Sequence, residues 1–182
     1  MKTETDFQIL LKETSKEFSG FYIEKKSDST LMKFIDLFLK IITLGQMKYF
    51  MTDFITTIGT TVYTPSNWDI CSAGSKMAII RHERIHMRQA AKWGKIIFSL
   101  LYIFCPLPGG LSFFRKKFEQ EAYEESLRSY LEYYGPSAFT PGLREQIIKH
   151  FTTSEYFWMW PWRSSIEKWY DKIISDLTKS SQ

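Results

Sequence analysis

Two cysteines in 182 residues, Cys71 and Cys105, supply neither a disulfide framework nor a C-x-x-C pair, and they read as buried free thiols of a reducing compartment. A secretory h-region is also missing. The opening MKTETDFQILLKETSKEF breaks its apolar positions with charge, so nothing directs export and a cytoplasmic protein is expected. No apolar run is long enough to span a bilayer. The longest, Ile96 to Leu107, ends in Pro106 and Pro108 and reads as a buried segment, with peripheral contact at a membrane interface as the other reading. A block of one charge sign is lacking as well: 24 Lys and Arg are interspersed with 20 Asp and Glu, with no RNP, zinc-finger or helix-turn-helix pattern, so nucleic acid is not an expected partner. No repeat, low-complexity tract or linker divides the chain. At 44% hydrophobic it has core enough for one globular domain over residues 1–182, and its oligomeric state is not legible.

Histidine is scarce too, and here the scarcity informs. Of only three, two fall in one pentapeptide, His82-Glu83-Arg84-Ile85-His86, and the third is His150. On a helix, positions four apart stack one turn above the other, so both imidazoles can reach one metal ion. Glu83 lies beside them, where a carboxylate can take a proton from water without ligating the metal itself; this is the division of labour in the H-E-x-x-H motif. Surrounding residues favour the helix. Ser72 to Ser75 supply caps, Lys76 to Trp93 runs without Pro or Gly, and Gly94 is a natural stop. Ala78, Ile79, Gln89, Ala90 and Trp93 share the histidine face, which places Gln89 and Trp93 at the border of the site, while Arg81, Arg84, Arg88 and Lys92 are expected to point outward.

A catalytic zinc ion takes three protein ligands and one open position, so a further ligand is needed. The helix expected from about Phe113 to Tyr134, stopped by Gly135-Pro136, carries Glu119, Glu121, Glu124 and Glu125. Tyr123, Leu127, Tyr130, Leu131 and Tyr134 form its apolar stripe, and one turn before Tyr123 lies Glu119. Glu121, Glu125, Arg128 and Glu132 share a face that suits solvent. A carboxylate at the head of a buried stripe is costly unless paired or ligating, which selects Glu119 as third ligand with Glu121 as the alternative.

Upstream, MKYFMTDFITTIGTTVYTP has strand composition, with a turn expected near Thr52-Asp53 and a bend or bulge at Gly59. Phe54 to Tyr63, and in it Thr60, Thr61, Val62 and Tyr63, is expected to offer an open edge to which an extended peptide adds as one more strand.

His82-Glu83-x-x-His86 followed on a later helix by Glu119-x-x-Ala122 resembles the gluzincin division of the zincin metallopeptidases. The order of a Thr-rich strand ending Tyr63-Thr64-Pro65, then HERIHMRQ, a Pro-Leu-Pro turn and FEQEAY is similar to small phage and bacterial proteins assigned as metallopeptidases. The likeness covers roughly 54–134. It departs at Tyr123, where gluzincins commonly carry Asp, so the partner that would orient the histidines is left open.

Elsewhere helices are expected over Thr5 to Phe18, from Thr30 to Gly45 as core scaffold, from Thr140-Pro141 to about Lys149, and at the C-terminus on Ile166, Trp169, Tyr170, Ile173 and Leu177; Phe21 to Ser29 reads as a connection. The aromatics of Ser154 to Trp162 read as core. Tyr156 and His150 are candidates for an added transition-state donor. The expected fold is a mostly helical α+β, zincin-like domain, with a small sheet before the HExxH helix and a second ligand-bearing helix. The expected activity is hydrolysis of peptide bonds with one Zn2+ ion, held by His82, His86 and Glu119, and Glu83 as general base. The alternatives are a non-catalytic zinc-binding or scaffold protein, and a zinc hydrolase acting on cell-wall peptide.

Overall fold

Helix punctuation in the sequence carries through into the backbone. In the computed structural model, which describes residues 4–42, 45, 49–103, 112–153 and 159–180, the chain is mostly helical with one small sheet. It is an α+β chain. It packs into two compact units, residues 3–76 and 77–182.

The first unit opens with α1 (Glu4–Glu17), which buries Phe7, Leu10 and Thr14 at helical spacing. The expected connection after it contains a strand, β1 (Tyr22–Lys25), whose charged YIEK sequence lacks the alternation that would announce it. Helix α2 (Thr30–Ile42) buries Met32 against Phe50 and Tyr63, with Ile35 and Leu39 beside them. Its expected core role is only partly right. Leu31, Phe34, Leu37, Phe38 and Ile41 all stand exposed.

Gly59, at φ +65°, turns β2 (Thr56–Ile58) into β3 (Thr61–Thr64) with Ile58 opposite Thr61, as a tight hairpin requires. The sheet order is β1-β3-β2, β3 running parallel to β1 and antiparallel to β2. This corrects the expected peptide-binding edge. Thr61, Val62 and Tyr63 lie on the central strand, whose backbone groups are used on both sides, and Thr60 is tied through Oγ1 to Gly20 O at 3.1 Å. A strand so paired has no edge to offer. Lys26 is fully buried in this unit, its Nζ donating to Phe50 O at 2.7 Å over the Phe50 ring.

Helix α3 (Ala73–Trp93) begins where Ser72 Oγ accepts from Ser75 N at 3.2 Å and ends at Gly94, φ +81°. Most of it belongs to the second unit, with α4 (Lys95–Ile103), α5 (Phe113–Tyr134), α6 (Pro141–Thr152) and α7 (Arg163–Lys179). Thr140 caps α6 by accepting from Leu143 N, with Pro141 at its first position. Leu127 of α5, Ile147, Ile148 and Phe151 of α6, and Ile166, Tyr170 and Leu177 of α7 form the main core, closed by Met159. Burying these side chains, each worth roughly 1.5–3 kcal/mol, fixes α5 from behind. Cys105, Tyr156, the Pro-Leu-Pro turn and most of the Ser154 to Trp162 aromatics lie outside the described residues.

Two further expectations are revised in this unit. Helix α4 docks only by Phe98, Leu101 and Tyr102, so Ile96, Ile97 and Leu100 are exposed where a buried segment was expected. On α5 the buried face is Phe118, Glu119, Ala122, Ser126, Leu127 and Ser129, and Tyr134 is exposed. Tyr123, Leu127 and Leu131 of the expected stripe pack on the main core, and the smaller side chains form a second buried face.

Candidate metal centre

Helices α3 and α5 run antiparallel, as their contacts show: Ser126 Oγ is 3.4 Å from Ala78 O, His82 Nδ1 is 3.2 Å from Ser126 Oγ, and Gln89 Nε2 is 3.1 Å from Phe118 O. Alanine and serine on the inner face of α5 leave room for imidazoles between the two backbones. Arg81 joins in, contrary to its expected outward position. It reaches Glu125 and Glu132, each at 2.6 Å, so that two acids expected to face solvent anchor α3 instead.

Between these helices His82, His86 and Glu119 converge, with one ligand atom from each within 4.8 Å of the others. The two Nε2 atoms are 3.1 Å apart; His82 Nε2 lies 3.4 Å from Glu119 Oε2, and His86 Nε2 lies 3.5 Å from Oε1. Zinc bonds of about 2.0–2.2 Å in a tetrahedron set ligand atoms about 3.4 Å apart, and the two imidazoles lie near that separation from each other and each from a different oxygen of the one carboxylate. His86 and Glu119 are buried, and among the described residues the group has three members.

Each imidazole is oriented from its far side. His86 Nδ1 lies 2.9 Å from Gln89 Oε1, whose amide is fixed because its nitrogen donates to Phe118 O and, at 2.8 Å, to Glu121 Oε2. An amide oxygen can only accept, so His86 donates to it from Nδ1 and its Nε2 is turned to the cluster. Ser126 does the same for His82 while its own hydroxyl can donate to Ala122 O at 3.3 Å. Glu121 is therefore outside the ligand cluster, exposed, and engaged in holding Gln89.

Burial raises the Glu119 pKa, but His86, His82 and the Tyr102 hydroxyl outweigh it and hold the carboxyl well below its ordinary range. Burial likewise pulls His82 down, and Glu119 more than restores it, leaving a net rise. Tyr102, on α4, donates to Glu119 Oε1 and stands edge-on to His86. Burial first, then the Glu119 charge, pushes its phenol well above the usual value, so it is a neutral donor. Glu83 is buried beside His82 and acts on it electrostatically.

Tyr123 stands edge-on to His82 with ring centres 4.8 Å apart, and its hydroxyl meets His150 Nδ1 at 2.5 Å. His150 is thus placed behind Tyr123, its pKa lowered to about 4 mainly by burial, and it is neutral at pH 7. Trp93 lies one turn beyond Gln89, half-exposed and edge-on to Phe118 and Phe114. Sequence reasoning misses Ser126 and Tyr102. Ser126 was findable, two turns after Glu119 on the same face; Tyr102 carried only the signal of a polar tip in an apolar helix. No family model, curated protein or solved structure matches the chain.

Proposed function

We propose that the second unit is a zincin-like metallopeptidase unit, in which His82 Nε2, His86 Nε2 and the Glu119 carboxylate hold one zinc ion and Glu83 is the general base for hydrolysis of a peptide bond. One observation carries this reading: two imidazoles and a carboxylate, brought from separate helices, converge with one ligand atom from each within 4.8 Å of the others. Bound there, zinc would supply Lewis acidity, polarising a carbonyl and bringing the ionisation of water towards neutral pH. The chain's own residues do the rest. Gln89 and Ser126 keep both Nε2 atoms turned to the cluster, and Phe98 and Tyr102 cover the His86 side. Glu83 accepts the proton of the attacking water and returns it to the leaving amine. With three members, the ligand group leaves one corner for water and substrate.

A second reading, a non-catalytic zinc site, draws on the Tyr102 hydroxyl, which lies against Glu119 where it can close that corner. Glu83→Gln separates the two. On the catalytic reading the variant keeps stoichiometric zinc and loses hydrolysis of a denatured protein or peptide-library substrate by roughly 10²–10⁴-fold. A parent chain that takes up no zinc, or a variant as fast as the parent, refutes the proposal.

A further inference from the structure

The even charge balance of the whole chain conceals a segregation. From Arg84 to Phe118 there are seven Lys or Arg and no Asp or Glu, and with 24 basic and 20 acidic residues in all, the remainder of the chain is net acidic. This stretch comprises the end of α3, all of α4 and the start of α5, within one compact unit.

The same stretch carries an apolar face. Ile96, Ile97 and Leu100 are 76%, 53% and 50% exposed, on a helix that docks by its opposite side. A row of rings lies at the ends of the neighbouring helices: half-exposed Trp93, close in the chain to Ile96, meets Phe114, which meets the half-exposed Phe113. Basic residues border it. Lys92 and Lys95 flank Trp93 and are exposed, and Lys116 and Lys117 stand over the Phe113 ring at 5.2 and 5.5 Å.

We propose that this face of α4 and the start of α5 is a docking surface for an anionic lipid bilayer, with Ile96, Ile97, Leu100 and Trp93 entering the headgroup boundary while Lys92, Lys95, Lys116 and Lys117 meet lipid phosphates and carboxylates. Aliphatic and Trp side chains edged by Lys and Arg are what an interfacial contact needs. A nine-residue helix, about 14 Å long, lies in an interface and cannot span one, and among the described residues no helix is long and apolar enough to cross a membrane. Charge decides against a second copy as occupant, because a two-fold interface here would set Lys92, Lys95, Lys116 and Lys117 beside their own copies. The exposed aliphatics argue against nucleic acid, whose phosphate backbone offers them nothing. Since Phe98 and Tyr102 of α4 also cover His86, docking would set the metal centre next to the bilayer surface.

Flotation of the full-length chain with phosphatidylcholine vesicles, with and without phosphatidylserine, tests this. Capture is expected only with phosphatidylserine and should weaken as salt rises, a result that needs no variant. The triple variant Lys92→Glu, Lys95→Glu, Lys117→Glu should weaken partitioning by roughly a hundredfold or more. Ile96→Ser with Leu100→Ser should weaken it by roughly tenfold or more at unchanged net charge. All five positions are exposed, so melting temperatures near the parent's are expected. Absence of capture by phosphatidylserine vesicles overturns the proposal. So does capture indifferent to both variants, a parent dimer that only the Ile96→Ser, Leu100→Ser variant dissociates, or RNA binding that replaces vesicle binding.

Discussion

Removing the Gln89 side chain should damage the metal centre without touching a ligand. Gln89 is 6% exposed and spends both ends of its amide, accepting from His86 Nδ1 at 2.9 Å and donating to Phe118 O and Glu121 Oε2 at 3.1 and 2.8 Å. Each such bond is worth about 1 kcal/mol net, and a buried donor or acceptor left alone costs about 1–3 kcal/mol. Water can replace Gln89 at exposed Glu121 but not readily at Phe118 O or His86. Gln89→Ala should therefore cost roughly 3 kcal/mol and, in a chain of this size, roughly 10 °C in Tm. Freed to rotate and change tautomer, His86 should hold zinc about 10–100-fold more weakly. Gln89→Glu isolates the cause. Its carboxylate still accepts from His86, yet it brings no proton to Phe118 O and faces the Glu121 carboxylate, so it should lose similar stability while keeping zinc affinity within a few-fold of the parent. The measurements are zinc competition against a chelator and thermal melts of zinc-free protein. Parent-like zinc affinity in Gln89→Ala would refute the orienting role, and equal loss of affinity in both variants would mean that stability alone governs the metal.

Glu119→Ala should abolish stoichiometric zinc binding while Glu121→Ala lowers affinity only a few-fold through Gln89; equal retention of zinc in the two variants removes Glu119 from the ligand set. Arg81→Ala should cost roughly 1–3 kcal/mol, because it removes the charged hydrogen bonds that tie α3 to Glu125 and Glu132 of α5, and double variants with Glu125→Ala and Glu132→Ala in a denaturation cycle measure the coupling. His150, held near pKa 4 in the fold, binds fewer protons there than in the unfolded chain between pH about 4 and about 6.5. Stability should thus be complete above about pH 6.5 and fall by roughly 3 kcal/mol on acidification to pH 4, and His150→Asn should flatten that part of a urea-midpoint profile.

Legibility followed the range of the interaction. Local signals placed α3, its Ser72 cap and Gly94 stop, and the Thr140 cap, since each depends on residues within one turn, whereas the hairpin turn falls at Gly59, where a bend or bulge was expected. Pairing across the chain was hidden. Strand β1 exists because Tyr22–Lys25 lies parallel to β3, and nothing in YIEK says so; the same pairing closed the edge on which Thr61, Val62 and Tyr63 were expected to bind peptide. Exposure was hidden too. Apolar periodicity on α2 and continuous apolarity on α4 mark faces that want cover, but the sequence does not say whether the fold supplies it.

Glu119 was selected from a stripe whose Tyr123, Leu127 and Leu131 pack on the main core, yet in the fold it joins a second face, and the reason lies in helix geometry. The tyrosine stripe and the face of Ala122, Ser126 and Ser129 are displaced by about one residue, or about 100° around the helix, and they overlap at Glu119 because a helical face about 100° wide admits both i+3 and i+4 neighbours. What selects the second face is volume. A helix carrying two imidazoles needs small residues opposite, and Ser126 adds a hydroxyl where His82 requires a partner, whereas Tyr123 at that position would fill the gap with its ring. Tyr123 instead stands edge-on to His82 and sends its hydroxyl to His150, so the residue that departs from the gluzincin pattern has a packing role, and the orienting of the histidines passes to Ser126 and Gln89.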